Sequence, residues 1–291
     1  MSKIFSILAT FSMGTALLPA APPSNSQPLT EKAWMNLEQG VTNKRAGKRV
    51  NAVHALRLLP HNPRAQKMAE KALADSNAKV RAAAARALGP MGAESSVPKL
   101  EAALDDKEPA VVFAAAHSLF VLGHPEDAYE IDYEVLIGER KGADGLVASQ
   151  LDELKDSKAM AMMGVETGVG FVPFGGPAYE AFKRISTDRT SPVRAAAAKE
   201  LAADHDSKID AALAKACSDK KWAVRAAAVF AIAKRDNPAF LKVITPALDD
   251  KNDIVRYEAS ATVLRLSAGQ AAQQASTARR PANENIAAAG K

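Results

Sequence analysis

A period of 31 residues constrains this chain more than any other feature. "DSNAKVRAAAARALG" from Asp75, "DKEPAVVFAAAHSLFVLG" from Asp106, "DRTSPVRAAAAKELAAD" from Asp188 and "DKKWAVRAAAVFAIAKR" from Asp219 share one pattern, which returns at Asp250. In every copy a valine follows the aspartate by five residues, at Val80, Val111, Val193, Val224 and Val255. Val80 and Val111 lie 31 apart, as do Val193, Val224 and Val255. Self-similarity at a fixed period of this length means stacked supersecondary units, each burying its apolar face against its neighbours.

Each unit reads as a pair of helices. Asn62-Pro63, Ser191-Pro192 and Asn237-Pro238 place a capping residue before a proline, which is how helices begin, and Gly89 and Gly123 mark stops. Between these marks the apolar residues recur at helical spacing without the strict alternation of strands. Ala69, Leu100, Phe182, Leu213 and Ile244 stand six before the aspartate as inward positions of the first helix. Leu73, Leu104, Ser186, Cys217 and Leu248 stand two before it. Cys217, the only cysteine, thus fills a slot held by leucine in three other repeats and is expected to be a packing residue that forms no disulfide. Aromatics make up only 5% of a chain that is 47% hydrophobic, which suits alanine-faced helices packed closely rather than an aromatic-rich sandwich.

The Asp-x-x-x-x-Val-Arg-x-x-Ala-Ala pattern resembles the short bacterial HEAT repeat of phycobilin-lyase-like proteins, over roughly residues 29–267. The resemblance implies an all-α fold, a right-handed α-solenoid of stacked helix pairs. It also implies structural roles for Asp75, Arg81, Asp188, Arg194, Asp219, Arg225, Asp250 and Arg256. The aspartate would sit in the turn between helices, and the arginine would bridge to the next repeat's turn. An exposed arginine series binding an anionic partner is the alternative. Two copies depart from the pattern. Val112 replaces the arginine, and "RVNAVHALRLL" from Arg49 is degenerate, as expected of a terminal, capping repeat.

Val111 and Val193 are separated by two periods plus 20 residues. The excess falls in "SKAMAMMGVETGVGFVPFGG", residues 157–176, which is apolar and glycine-rich. Such a segment either folds back onto the repeats or offers an apolar surface to a partner protein or a lipid. Its glycines are not followed by the Lys-Ser/Thr pair of a phosphate loop. Met160, Met162, Met163, Phe171 and Phe174 are the candidate partner-binding residues. Tyr129 and Tyr133 join them from the acidic stretch "HPEDAYEIDYEVLIGE" just upstream.

The N-terminus adds a localisation. Lys3 precedes the uncharged apolar run from Ile4 to Ala20, the layout of a secretory signal peptide cleaved near Ala20 or Ala21, or of a membrane anchor if it stays uncleaved. The expected organisation is signal peptide 1–21, linker 22–29, repeats 30–156, insertion 157–176, repeats 177–267 and a disordered tail 268–291. Lys44, Arg45, Lys48, Arg49, Arg57, Arg64 and Lys67 form a basic stretch read as a solvated outer face, with an anion-binding patch as the alternative. No stacking aromatics are interleaved with it, which argues against nucleic acid. The five histidines show no metal-binding spacing, and no nucleophile motif occurs, so no catalytic, metal or cofactor residue is assigned.

The expected function is an exported, non-catalytic scaffold for a protein partner of unknown identity. Two alternatives remain. The resemblance implies a bilin lyase or isomerase-type subunit, against which the signal peptide argues, since that chemistry belongs inside the cell. The insertion and basic stretch together allow a peripheral membrane protein.

Overall fold

A computed structural model describes residues 27–126, 128, 129, 131, 191–204 and 206–289. The signal segment, the insertion with Met160, Met162, Met163, Phe171 and Phe174, and also Tyr133 and Asp188, lie outside the described residues. The described chain is an α-solenoid. Its helices are α1 (Gln27–Val41), α2 (Ala46–Ala55), α3 (Pro63–Ala72), α4 (Ala78–Leu88), α5 (Val97–Ala103) and α6 (Pro109–Leu122) in the first half. The second half holds α7 (Ser191–Glu200), α8 (Ser207–Ala216), α9 (Trp222–Arg235), α10 (Leu241–Ile244) and α11 (Asp253–Ala289). Among the described helices none is long and apolar enough to cross a membrane.

Local chemistry sets most boundaries. The Asn62 side chain accepts hydrogen bonds from the Arg64 and Ala65 amides, and Asn237 accepts from Ala239, each one residue before a proline. Gly123 ends α6 in the left-handed conformation, at φ 91°. Gly89 is a stop for a different reason. It keeps right-handed angles, and its missing side chain makes room for Ser118, whose Oγ would lie 2.9 Å from an added Cβ. Two boundaries differ from composition-based expectation. Helix α1 already begins at Gln27, inside the expected linker. The tail for which low apolar content predicts disorder continues α11 to Ala289, extending a helix already nucleated by its buried first turns in a sequence rich in alanine and glutamine.

The second helices of the pairs pack side by side as one continuous layer, whereas the first helices touch chiefly their own partners, except α1, which packs most extensively on α11. The layer of close-packed second helices is therefore the inner one. Alanine makes the close approach possible: Ala226, Ala227, Ala228, Ala231 and Ala233 of α9 are all fully buried.

The order within this layer is not the order of the chain. Helix α7 packs on α9 and α9 on α11; then α11 packs on α1 and α2, α2 on α4, and α4 on α6. The C-terminal repeats thus lead directly into the N-terminal ones, and α6 and α7 stand at opposite ends of the row of described helices. The pair α1–α2 is consequently not a terminal cap, contrary to expectation, but the centre of the stack. Its sequence departs from its neighbours because it meets a repeat that is distant in the chain.

That junction is specific. Lys32 Nζ donates to Asp249 Oδ2 at 2.6 Å, and Asn36 Nδ2 donates to the Leu248 carbonyl at 3.0 Å and to Ser260 Oγ at 3.1 Å. Asn51 Nδ2 reaches Asp253 Oδ2 at 3.2 Å. Gly40 lets α1 lie against both α2 and α11, since a Cβ there would fall 2.5 Å from that of Ala52 and 2.8 Å from the Tyr257 ring.

Candidate partner-binding surface

The repeat aspartates and arginines come together across successive turns. Arg49 makes a bidentate contact with Asp75, with Nε to Oδ2 at 2.7 Å and Nη2 to Oδ1 at 2.8 Å. Arg81 does the same to Asp106 at 2.7 and 2.8 Å, and Arg225 to Asp250 at 2.6 and 2.7 Å; Arg194 pairs with Asp219. The remaining guanidinium nitrogen of Arg81 and Arg225 donates to the carbonyl of its own turn's aspartate, Asp75 or Asp219. Each aspartate also accepts the amide two residues on, as Asp75 does from Asn77 and Asp250 from Asn252. The capping of the second helix is then completed by Asn77 and Asn252 themselves.

Both breaks in this series, one at the α6 end and one at the junction, have a visible cause. Val112, where the arginine is missing, is buried with Ala116, Ala128 and Ile131, so an apolar contact replaces the ion pair. Arg256 donates to the carbonyl of its own Asp250, and the turn that follows in space carries the neutral Asn43 in place of an aspartate. Arg49 belongs to the series although its repeat reads as degenerate in sequence, and Asp106 belongs to it although its own repeat lacks the arginine. Arg49 stands six residues after Asn43, the same offset as from Asp75 to Arg81, and that spacing was the available signal.

The Arg49 guanidinium beside Asp75 and the Arg81 guanidinium beside Asp106 hold these carboxyls below the usual carboxylate range. A group with a lowered folded-state pKa contributes stability above its unfolded value of about 4 and loses it as pH falls through the folded value. Stability should therefore drop below about pH 4, and the drop should be shallower in Asp75→Asn and Asp106→Asn, as read by urea unfolding across pH. An equally steep drop in these variants would remove the series as its cause.

Cys217 is buried as the C-cap of α8, and burial pushes its thiol up to about 12. Thiol reagents should leave it unmodified at pH 8 in the folded chain, and Cys217→Leu should cost no more than about 1.5 kcal/mol. Fast labelling of the native protein would contradict this placement.

The basic stretch is not simply a solvated face. Arg49 belongs to the series above. Arg64 pairs with Glu38 at 2.6 Å and lies over the Trp34 ring at 4.3 Å. Arg57 pairs with Glu258 across the junction at 3.2 Å, and the two side chains are 9% and 1% exposed. Arg57 also donates to His54 Nδ1 at 2.8 Å and to the His54 carbonyl at 2.9 Å.

These last contacts form part of a group within the inner layer, in which Lys199 and His54 are buried and Lys234 is exposed. The half-buried Phe230 ring of α9 has Lys199 of α7 at 5.1 Å, Arg57 of the turn after α2 at 5.3 Å and Lys234 of α9 at 5.7 Å from its centroid. Arg265 of α11 follows, bound to Asp236 at 2.9 Å. Burial first, then the neighbouring Arg265 and Arg57 charges, hold the Lys234 ammonium below its ordinary value. Lys199, Phe230, His54, Arg86 and His117 occupy one register, five residues after the arginine position of each repeat. At the α6 end the same layer exposes apolar surface, with Phe120 62% and Val121 47% accessible, and Tyr129 beyond them is 68% exposed. Among the described residues no group of three or more His, Cys, Asp or Glu side chains could hold a metal ion.

Comparison with known proteins agrees with this architecture. The HEAT-repeat family profile matches residues 37–129 and 180–265. No curated protein sequence matches the chain significantly. Solved structures similar to it include human deoxyhypusine hydroxylase in complex with glycerol, at 18% identity and TM-score 0.33, covering 84% of this chain and 99% of that one. An engineered protein matches at 14% identity and TM-score 0.28, covering 83% and 97%. A designed armadillo repeat protein matches at 16% and 0.25, covering 82% and 99%. The period of the sequence, the paired helices, the aspartate–arginine series and the family match over most of the chain lead to one conclusion: this chain belongs to the HEAT-repeat family.

Proposed function

We propose that the chain is an exported, non-catalytic scaffold that holds a protein partner against the inner layer of its solenoid. HEAT repeats commonly mediate protein interactions, and stacked repeats present side chains at regular spacing on an extended surface. The observation that carries the reading is the accessible face of that layer, where cationic side chains lead to exposed Phe120 and Val121. Large exposed apolar side chains beside a polar rim are characteristic of contact surfaces. Burial pushes the Cys217 thiol up to about 12, which supports assigning Cys217 no nucleophilic role, and the Lys3-led apolar run to Ala20 supports export.

The test is crosslinked affinity capture from cell-envelope extract with the full chain and with Phe120→Ser/Val121→Ser. Both positions are exposed, so the melting temperature should not change. One specific protein captured by the full chain and lost from the variant is expected. Identical capture by both, or no specific protein at all, would contradict the proposed surface. A third variant with Met160 to Gly175 replaced by a Gly/Ser linker asks whether the insertion shares the contact. Intact mass of the processed chain, about twenty residues short of full length, checks export.

A further inference from the structure

We propose that the cationic group around Phe230 is a recognition site for the carboxylate side chains of an acidic segment in a partner protein. The proposal rests on the scaffold reading above and names the chemistry that the partner would present. Four cations converge here from four helical units: Lys199 from α7, Lys234 from α9, Arg265 from α11 and Arg57 from the turn after α2. Two of these cations are matched by acids, Arg57 by the buried Glu258 and Arg265 by Asp236. Lys234 has no carboxylate partner among the described residues. Its ammonium has the Phe230 ring for company, with Arg57 and Arg265 as repelling neighbours. Lys234 is thus held beside like charges with no carboxylate of its own, and a carboxylate placed against it would relieve that repulsion.

The surroundings favour an acidic polypeptide over nucleic acid. Lys199, Arg57 and Lys234 crowd the Phe230 ring at 5.1 to 5.7 Å, which leaves it poorly placed to stack on a base. The same layer continues past Arg86 to exposed Phe120 and Val121, which suits a segment carrying apolar side chains beyond its acidic ones. Because the cations come from both sides of the junction, such a segment would bridge the two halves of the chain. It would therefore stabilise the folded state by mass action.

The experiment measures fluorescence anisotropy of a labelled octaglutamate peptide on the full chain, on Lys234→Glu and on Lys71→Glu. Lys71 is an exposed residue of α3 outside the inner layer, so the two variants lose the same charge at different places. Melting curves of both should match the parent. The expected result is saturable binding that raises the melting temperature and weakens about tenfold or more in Lys234→Glu, but less than about twofold in Lys71→Glu. Equal weakening in both variants would reduce the effect to net charge and overturn the site. Absence of saturable binding would overturn it too. Tighter binding of oligothymidylate with the same dependence on Lys234 would assign the site to phosphates and overturn the protein partner. Two outcomes separate this inference from the scaffold reading. A partner captured from envelope extract equally well by Lys234→Glu removes the site alone. Lys234-dependent octaglutamate binding without any captured partner keeps the site and removes the scaffold.

Discussion

Arg57→Ala should destabilise the chain by about 3–5 kcal/mol, the largest effect expected of any single side chain at the junction. Arg57 and Glu258 are 9% and 1% exposed, and their 3.2 Å contact joins repeats at the two ends of the sequence. Glu258 Oε2 already has no partner, so removing the guanidinium strands a carboxylate inside the protein with neither oxygen satisfied. Natural domains are stable by only about 5–15 kcal/mol, so much of the margin would go. Desolvation predicts a second result. In Arg57→Leu combined with Glu258→Leu no charge is buried, and most of the loss should be recovered. Urea unfolding of the three proteins checks both. If the double variant were as unstable as Arg57→Ala, packing rather than the stranded charge would be the cause.

Gly40→Leu should be comparably damaging through sterics alone. An added Cβ would meet the Ala52 Cβ at 2.5 Å and the Tyr257 ring at 2.8 Å. The Ala52 methyl is fixed to its backbone and cannot swing aside. Alanine at this site gains about 1 kcal/mol of helix propensity, but overpacking costs about 1–3 kcal/mol, so Gly40→Ala should be net destabilising. Leucine, with three more carbons to place, forces α1 away from α2 and α11 and should cost more. The loss should appear as a lower denaturation midpoint together with faster proteolysis of α1. An unchanged midpoint in Gly40→Leu would mean that α1 does not lie against α11.

The repeats could be read from the sequence because everything that defines them is local. The Asp75-to-Arg81 offset, the Asn62-Pro63 cap and the leucine slot filled by Cys217 all lie within one helix pair and recur in the next. The order of the halves could not be read, because its determinants occur once each and join distant residues: Asn51 with Asp253, Arg57 with Glu258, Lys32 with Asp249. No period marks them. Arg57 within a basic run reads as a surface residue until Glu258 is seen opposite it. One trace was present in the sequence. Asn43 interrupts the aspartates at the turn that meets a chain-distant repeat, and degeneracy attributed to a terminal cap was in fact the mark of an internal junction. The Phe230 group was hidden for the same reason, since Arg57 reaches it from across that junction. Of the residues first singled out for partner binding, Tyr129 is described and exposed, while Met160, Met162, Met163, Phe171, Phe174 and Tyr133 lie outside the described residues.

One distance decides whether the C-terminal repeats stack directly onto the N-terminal pair. Spin labels attached at Lys32→Cys and Asp249→Cys in the full chain report it by pulsed dipolar spectroscopy, with Cys217 shielded by burial and its raised thiol pKa. In the structure these side chains touch, at 2.6 Å, so the labels should show a narrow distribution below about 25 Å once tether length is added. A solenoid stacked in chain order would set them about six helix pairs apart, on the order of 50–60 Å at roughly 9–10 Å per packed helix. A distribution centred there would contradict the account.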